Sequence, residues 1–499
     1  PWAKRVTLDA GVVLDASATQ RGDGGTVVVW SDIHDSASRT NVAGSLLAKG
    51  GEQGGDGGKV ETSGYWLDTT GIRIDAWAAS GRGGEWLVDP YNITIASSGA
   101  SGTAYSNSFS AGATSTILAS SIVSALNAGT SVSINTGAAG SAGADAGNIS
   151  VTAAIAKTAG GNATLTLTAA NKIDISAAIS SSSNALNLVL SGLLNLTKQG
   201  AGSVSVSSAN TYSGSTTISG GTLSVTGAGK LYYDSTGSGF NRSVLVNAGG
   251  TLEVSDWGWQ GSLGHVYYET ASNITINGGT IRNLSAGNQS APRRMTVNSG
   301  GASFESALGV TWTVASSSWG ANYTHSVNGS LTFSGPGNLE YSQALSGTIG
   351  ITKTGSGSLT LSNSGNTYSG TTTVSGGTLI VTASGALGAT TGGTTVSAGG
   401  TLDLPNLSYA AAEGVTLNGG VLTSSTGTSS FAGAITLGAT STVSAASGAQ
   451  LTLSGVIGGT SAFSLTKASA GTVILAGANT YQGGTEVSAG TLALTHANG

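Results

Sequence analysis

Aromatic rings beside carboxylates are the residue types that hold sugars, and this chain gathers them in one stretch. Asp256, Trp257, Trp259, Tyr267, Tyr268, Trp312 and Trp319 lie close together, with His265, Arg293 and Arg294 among them, in a sequence that is only 6% aromatic. A ring offers a flat apolar face to the C–H side of a sugar, while a carboxylate or guanidinium takes its hydroxyls. The competing reading is packing: a wide coil needs large side chains to fill its cross-section. A second candidate is Arg21-Gly22-Asp23, the tripeptide that integrins read at the tip of a turn. Its plainer reading is a glycine turn leading into the strand "TVVVW".

Metal and catalytic chemistry find less material. "GGEQGGDGGKVETSG" suggests calcium, with Asp56 flanked by Glu52 and Glu61. Calcium held between stacked turns needs six or more oxygens from tandem copies, so the glycines read better as turns. No metal ion and no other cofactor is expected. The four histidines, His34, His265, His325 and His496, are far apart in sequence. Residues 96–499 hold 11 carboxylates with no dense cluster, whereas polysaccharide cleavage needs two or three converging acids. No nucleophile elbow, phosphate loop or zinc spacing occurs. The expectation is a protein that is not an enzyme. A polysaccharide-active β-helix enzyme is the alternative, since fold alone does not exclude it.

The elements that position such residues follow from composition and period. The chain has 499 residues, 81 of them glycine, with 8% charged residues and no cysteine; ordinary usage is about 7% glycine and roughly 25% charge. A net charge of −5 gives no case for nucleic acid. No apolar run is long enough to span a bilayer as a helix. The first residue is Pro1, without a leader-like apolar stretch, and the expectation is a piece of a larger protein. Residues 1–95 carry 8 of the 18 basic and 12 of the 23 acidic groups. Low charge with much Gly and Ser could mean disorder, but "GNATLTLTA" alternates apolar and polar residues in the period of a strand.

Repeats dominate the last 300 or so residues. "LTKQGAGSVSVSSANTYSGSTTISGGTLSV" starts at Leu196, "ITKTGSGSLTLSNSGNTYSGTTTVSGGTLIV" at Ile351 and "LTKASAGTVILAGANTYQGGTEVSAGTLAL" at Leu465. Lys198, Lys353 and Lys467 are equivalent, as are Tyr212, Tyr368 and Tyr481. A Gly-Gly-Thr-Leu signature recurs at intervals of 20 to 29 residues, the length of one coil of a parallel β-solenoid. In "GGTLSV", Leu223 and Val225 face one side, and Thr222 and Ser224 the other. At roughly 22 residues per coil and about 4.8 Å per coil, the expected rod is on the order of 100 Å long. "STILASSIVSALNAGT" (Ser115–Thr130) is the nearest thing to a helix, and its β-branched, Ser-rich content suggests a short helical turn at best.

Two family resemblances follow. "GDGGTVVVWSD" (Gly22–Asp32), "GSLLAKGGEQGGDGGKVETSG" (Gly44–Gly64), "WLVDPYNITI" (Trp86–Ile95) and "ALNAGTSVSINT" (Ala125–Thr136) resemble the filamentous-haemagglutinin type of exoprotein, exported by two-partner secretion. The Lys198, Lys353 and Lys467 repeats resemble the passenger-associated β-strand repeat of autotransporters, and Lys230–Gly264 is similar to modules beside such repeats. Both resemblances imply an all-β, right-handed parallel β-helix, secreted or held at the outer membrane of a Gram-negative bacterium. They imply an adhesin, with a glycan, matrix or host-surface ligand, an outer-membrane translocator, and self-association between rods. A structural stalk without a ligand of its own is the other alternative. The expected segments are 1–95, haemagglutinin-like; 96–195, Ser/Thr/Ala-rich coils; and 196–499, the repeat region.

Overall fold

The computed structural model describes residues 3–90, 92–98, 115–136, 147–184, 186–191, 195–206, 210, 214–226, 231, 242–256, 272–285, 289–290, 295–314 and 326–496. They fall into two compact units: Pro1–Glu253 with Gln260–Ser272, and Val254–Trp259 with Asn273–Gly499. Each unit is a parallel β-solenoid, as the alternation and coil spacing lead one to expect.

In the first unit one face is a six-stranded sheet. Its strands are Thr26–Trp30, Lys59–Gly64, Glu85–Pro90, Ser131–Thr136, Ala163–Ala169 and Leu186–Ser191, in chain order. In-register pairing stacks Val27, Val60, Trp86, Val132, Leu165 and Leu188 into an inward column. All six are buried. Fully burying side chains of this size contributes about 1.5–3 kcal/mol each. Trp86 would strand its indole N–H in that column. Thr62, buried in the neighbouring column, accepts it at 3.0 Å.

The reading of Ser115–Thr130 as a short helical turn at best is corrected. Ser115–Leu118 is a strand, and Ala119–Asn127 is a nine-residue α-helix. Ala119, Ile122, Ala125 and Leu126 share its buried face. The helix packs between the Arg73–Asp75 strand below and the Ile155–Lys157 strand above, so it takes the place of one strand. Tertiary burial of that apolar stripe overrides weak local propensity. It stops at Gly129, whose φ is +82°. There Gly129 N–H donates to the Leu126 carbonyl at 3.1 Å and Thr130 N–H to the Ala125 carbonyl at 3.0 Å, a Schellman ending. The winding also loses chain order here. Ser115–Leu118 lies between Trp66–Asp68 and Ile93–Ala96, and Ile93–Ala96 next pairs with Asn148–Val151.

In the second unit a ten-stranded sheet carries Leu339, Leu359, Leu379, Leu402 and Leu422 in one inward column. Wide coils near residue 310 are filled by rings. Phe304 stacks on Phe333 at 5.7 Å, and Trp312 and Tyr341 lean on them at 5.8 Å. The two repeats of this unit sit on different faces. Ile351–Lys353 and Thr372–Val374 belong to a fourteen-stranded sheet, while Leu465–Ala468 and Thr485–Val487 lie within the ten-stranded one. The second copy is thus turned one face further round the solenoid. Its sequence repeats, but its phase on the coil does not.

Candidate functional site

The outer face of the six-stranded sheet is where unlike polar groups converge. Three tandem turns feed its first strands: Gly22-Asp23-Gly24-Gly25, Gly55-Asp56-Gly57-Gly58 and Gly81-Arg82-Gly83-Gly84. They stack because an aspartate carboxylate in one turn accepts a backbone N–H from the next. Asp23 accepts Asp56 N–H at 2.7 Å, and Asp56 accepts Arg82 N–H at 2.8 Å. Glycine is required where coils touch: a Cβ on Gly55 would lie 1.9 Å from the Gly22 carbonyl oxygen. Beside this ladder runs a groove of about 580 Å³. Asp, Thr, Lys, Glu, Ser and Gly line it, including Asp23, Asp56, Lys59, Glu85, Ser133 and Thr166. Glu85 accepts the Ser133 hydroxyl across strands.

Further along the same strands two carboxylates meet. Glu61 pairs with Leu87, and Ser63 with Asp89, so Glu61 and Asp89 are diagonal neighbours on adjacent strands. Burial and the nearby Glu61 charge push the Asp89 carboxyl up to about 6, with His34 acting the other way. Trp30 pairs with Ser63 in the same outward column and is 40% exposed. Sequence reading named Asp23, Asp56 and Glu61 separately and did not join them into one face. The tandem Gly-x-Gly-Gly turns were the signal that could have found it.

Of the residues chosen from sequence, Gly22 and Asp23 belong to this ladder, and Asp23 lines the groove. Arg21, Gly22 and Asp23 form an exposed turn. Gly22 has φ +115° and exchanges backbone hydrogen bonds with Gly51 and Gly54, while Asp23 is engaged by Asp56. Trp312 is fully buried against Phe304, so its ring is core and not surface. Asp256 is exposed. Trp257, Trp259, Tyr267, Tyr268 and Trp319 lie outside the described residues.

The equivalent lysines have a different geometry from any surface site. Lys353 occupies an inward column between Phe333 and Val374, Lys467 one between Val443 and Val487, and Lys198 one between Ile175 and Ile218. All three are buried. The stem packs as a hydrocarbon, and the ammonium turns into the corner. Lys353 Nζ donates to the carbonyls of Thr354, Gly355 and, one coil on, Gly376 at 3.4, 2.6 and 3.1 Å. Lys467 does the same with Ala468, Ser469 and Ala489, and Lys198 with Gln199, Gly200 and Gly220. Each ammonium therefore ties one turn to the next. Burial lowers the pKa of all three, Lys353 to about 8. Lys157, outside the repeats, ties the carbonyls of Ala159, Gly160 and Asn184 in the same way.

The asparagine and tyrosine of the motif are structural too. Asn366 accepts Leu345 N–H at 2.9 Å from the coil below and donates to the Ala386 carbonyl at 2.7 Å above. Tyr368 and Thr372 hydroxyls meet at 2.8 Å. Residues 196–225, 351–381 and 465–494 match the family model of the passenger-associated-transport-repeat. No curated protein matches the chain. The chain thus carries the β-strand repeats of an autotransporter passenger, a secreted or surface-exposed kind of protein.

Proposed function

We propose that the chain is an attachment segment of a bacterial adhesin, displayed at the outer membrane by a translocator. The observation that carries this reading is the outer face of the six-stranded sheet, where hydroxyls and charges stack coil upon coil over a sealed interior. Repetition lets many weak contacts to a glycan, matrix or sister molecule sum through effective concentration. The test is attachment of beads coated with the purified chain to epithelial cells and to matrix. Beads that bind no better than uncoated ones leave only a stalk.

A second reading draws on Glu61 and Asp89. Two neighbouring carboxylates, one with a raised pKa, are the equipment of glycoside hydrolysis. Reducing ends released from a polysaccharide by the chain, and lost in Asp89→Asn, would support it. No release on any polymer tested removes it.

A further inference from the structure

Resting on the attachment reading, we infer that the groove beside the glycine turns takes a linear, uncharged polysaccharide. Its lining contains no large apolar side chain, so burial of a hydrophobic peptide has nothing to act on. Three carboxylates, Asp23, Asp56 and Glu85, line it with one cation, Lys59, and Arg82 pairs with Asp56 at 3.7 Å. Glu61 and Asp89 lie further along the same face. This balance repels sulfated or carboxylated sugars and nucleic acid, and it favours a ligand rich in hydroxyl donors. The groove crosses successive strands, from Thr26 through Lys59, Glu85 and Ser131 to Thr164, which pair in register. Polar groups therefore recur about every 4.8 Å along it, a repeat suited to a polymer and not to a single small molecule. Thr26, Val28 and Trp30 point outward from one strand, and the exposed Trp30 lies roughly 13 Å from the groove end at Thr26 by the strand rise.

The experiment is a titration of the whole chain with cellohexaose, xylohexaose and chitohexaose, and with a heparin hexasaccharide as the anionic control. At least one uncharged oligosaccharide binds. Thr166→Trp, which fills the groove from a solvent-facing position, weakens that binding tenfold or more. Trp30→Ala, to the side of the groove, leaves it unchanged, and heparin does not compete. An unchanged melting temperature shows that each variant is folded. The inference is overturned if no uncharged oligosaccharide binds, if Thr166→Trp leaves binding unchanged, or if heparin binds better. Cell attachment measured on the same variants separates the two claims. Attachment by the unsubstituted chain when no uncharged oligosaccharide binds it removes the groove and keeps the adhesin reading.

Discussion

The amino-terminal coils and the repeat coils use charge in opposite ways. Residues 3–90 hold twenty charged side chains, and none is buried. Residues 351–494 hold five, and four of them, Lys353, Asp403, Glu413 and Lys467, are buried; Glu486 is exposed. Where charge is plentiful it lines the outer face and builds a groove. Where it is scarce it has been drawn inside, to bind turns that glycine leaves without side chains. A lysine in a repeat is thus a tie between coils, and a lysine in the first coils is part of a surface.

The largest expected effect tests that contrast directly. Lys353→Met keeps the stem and removes the donors from three turn carbonyls, costing about 2–5 kcal/mol in urea unfolding. Lys353→Met behaving like a surface substitution would falsify the tie.

Glu413 sharpens the comparison through pH. Its side chain is fully buried, its Oε1 accepts the Thr394 hydroxyl at 3.3 Å, and burial pushes its carboxyl up to about 7. The folded state holds that proton more tightly than the unfolded chain. Stability is therefore greatest below the ordinary glutamate pKa and is lost as pH rises through about 7. Glu413→Gln should flatten the curve of unfolding midpoint against pH between 5 and 8, removing a dependence on the order of 2–3 kcal/mol. An identical slope in the variant shows that another group is responsible.

Gly377→Ala should cost about 1–3 kcal/mol. Gly377 has φ +64°, and a Cβ there would sit 2.2 Å from the Gly357 carbonyl oxygen and 2.8 Å from Lys353 Nζ. Gly54, at φ +140° with nothing within 4 Å of a Cβ, should cost less on the same change; equal losses in thermal melts would mean that only backbone strain matters. Smallest is Lys59→Gln on the outer face, expected to shift stability by no more than about 0.5 kcal/mol. A larger loss there would erase the distinction between the two regions.

Much of the solenoid was legible because its code is local. A period of two places Leu223 and Val225 inward in any coil, and Gly377 marks a turn whatever surrounds it. The equivalence of Lys198, Lys353 and Lys467 was also visible. Their inward direction was not, since a lone lysine in an alternating strand reads as a surface residue until its carbonyl partners one coil away are known. The helix at Ala119–Asn127 was missed for the converse reason: its apolar stripe is short, and only the strands above and below give it something to bury against.

The sequence by itself determined strand period, turn positions, coil length and the identity of the repeats, because these depend on neighbours along the chain. The tertiary structure alone decided what depends on neighbours across coils. It brought Glu61 beside Asp89, stacked Asp23 on Asp56 and Arg82, and put Ser115–Leu118 between strands that precede it. It also turned Lys467 one face round from Lys353. Register between coils is set by how each turn seats on the last, and no spacing in one coil encodes it.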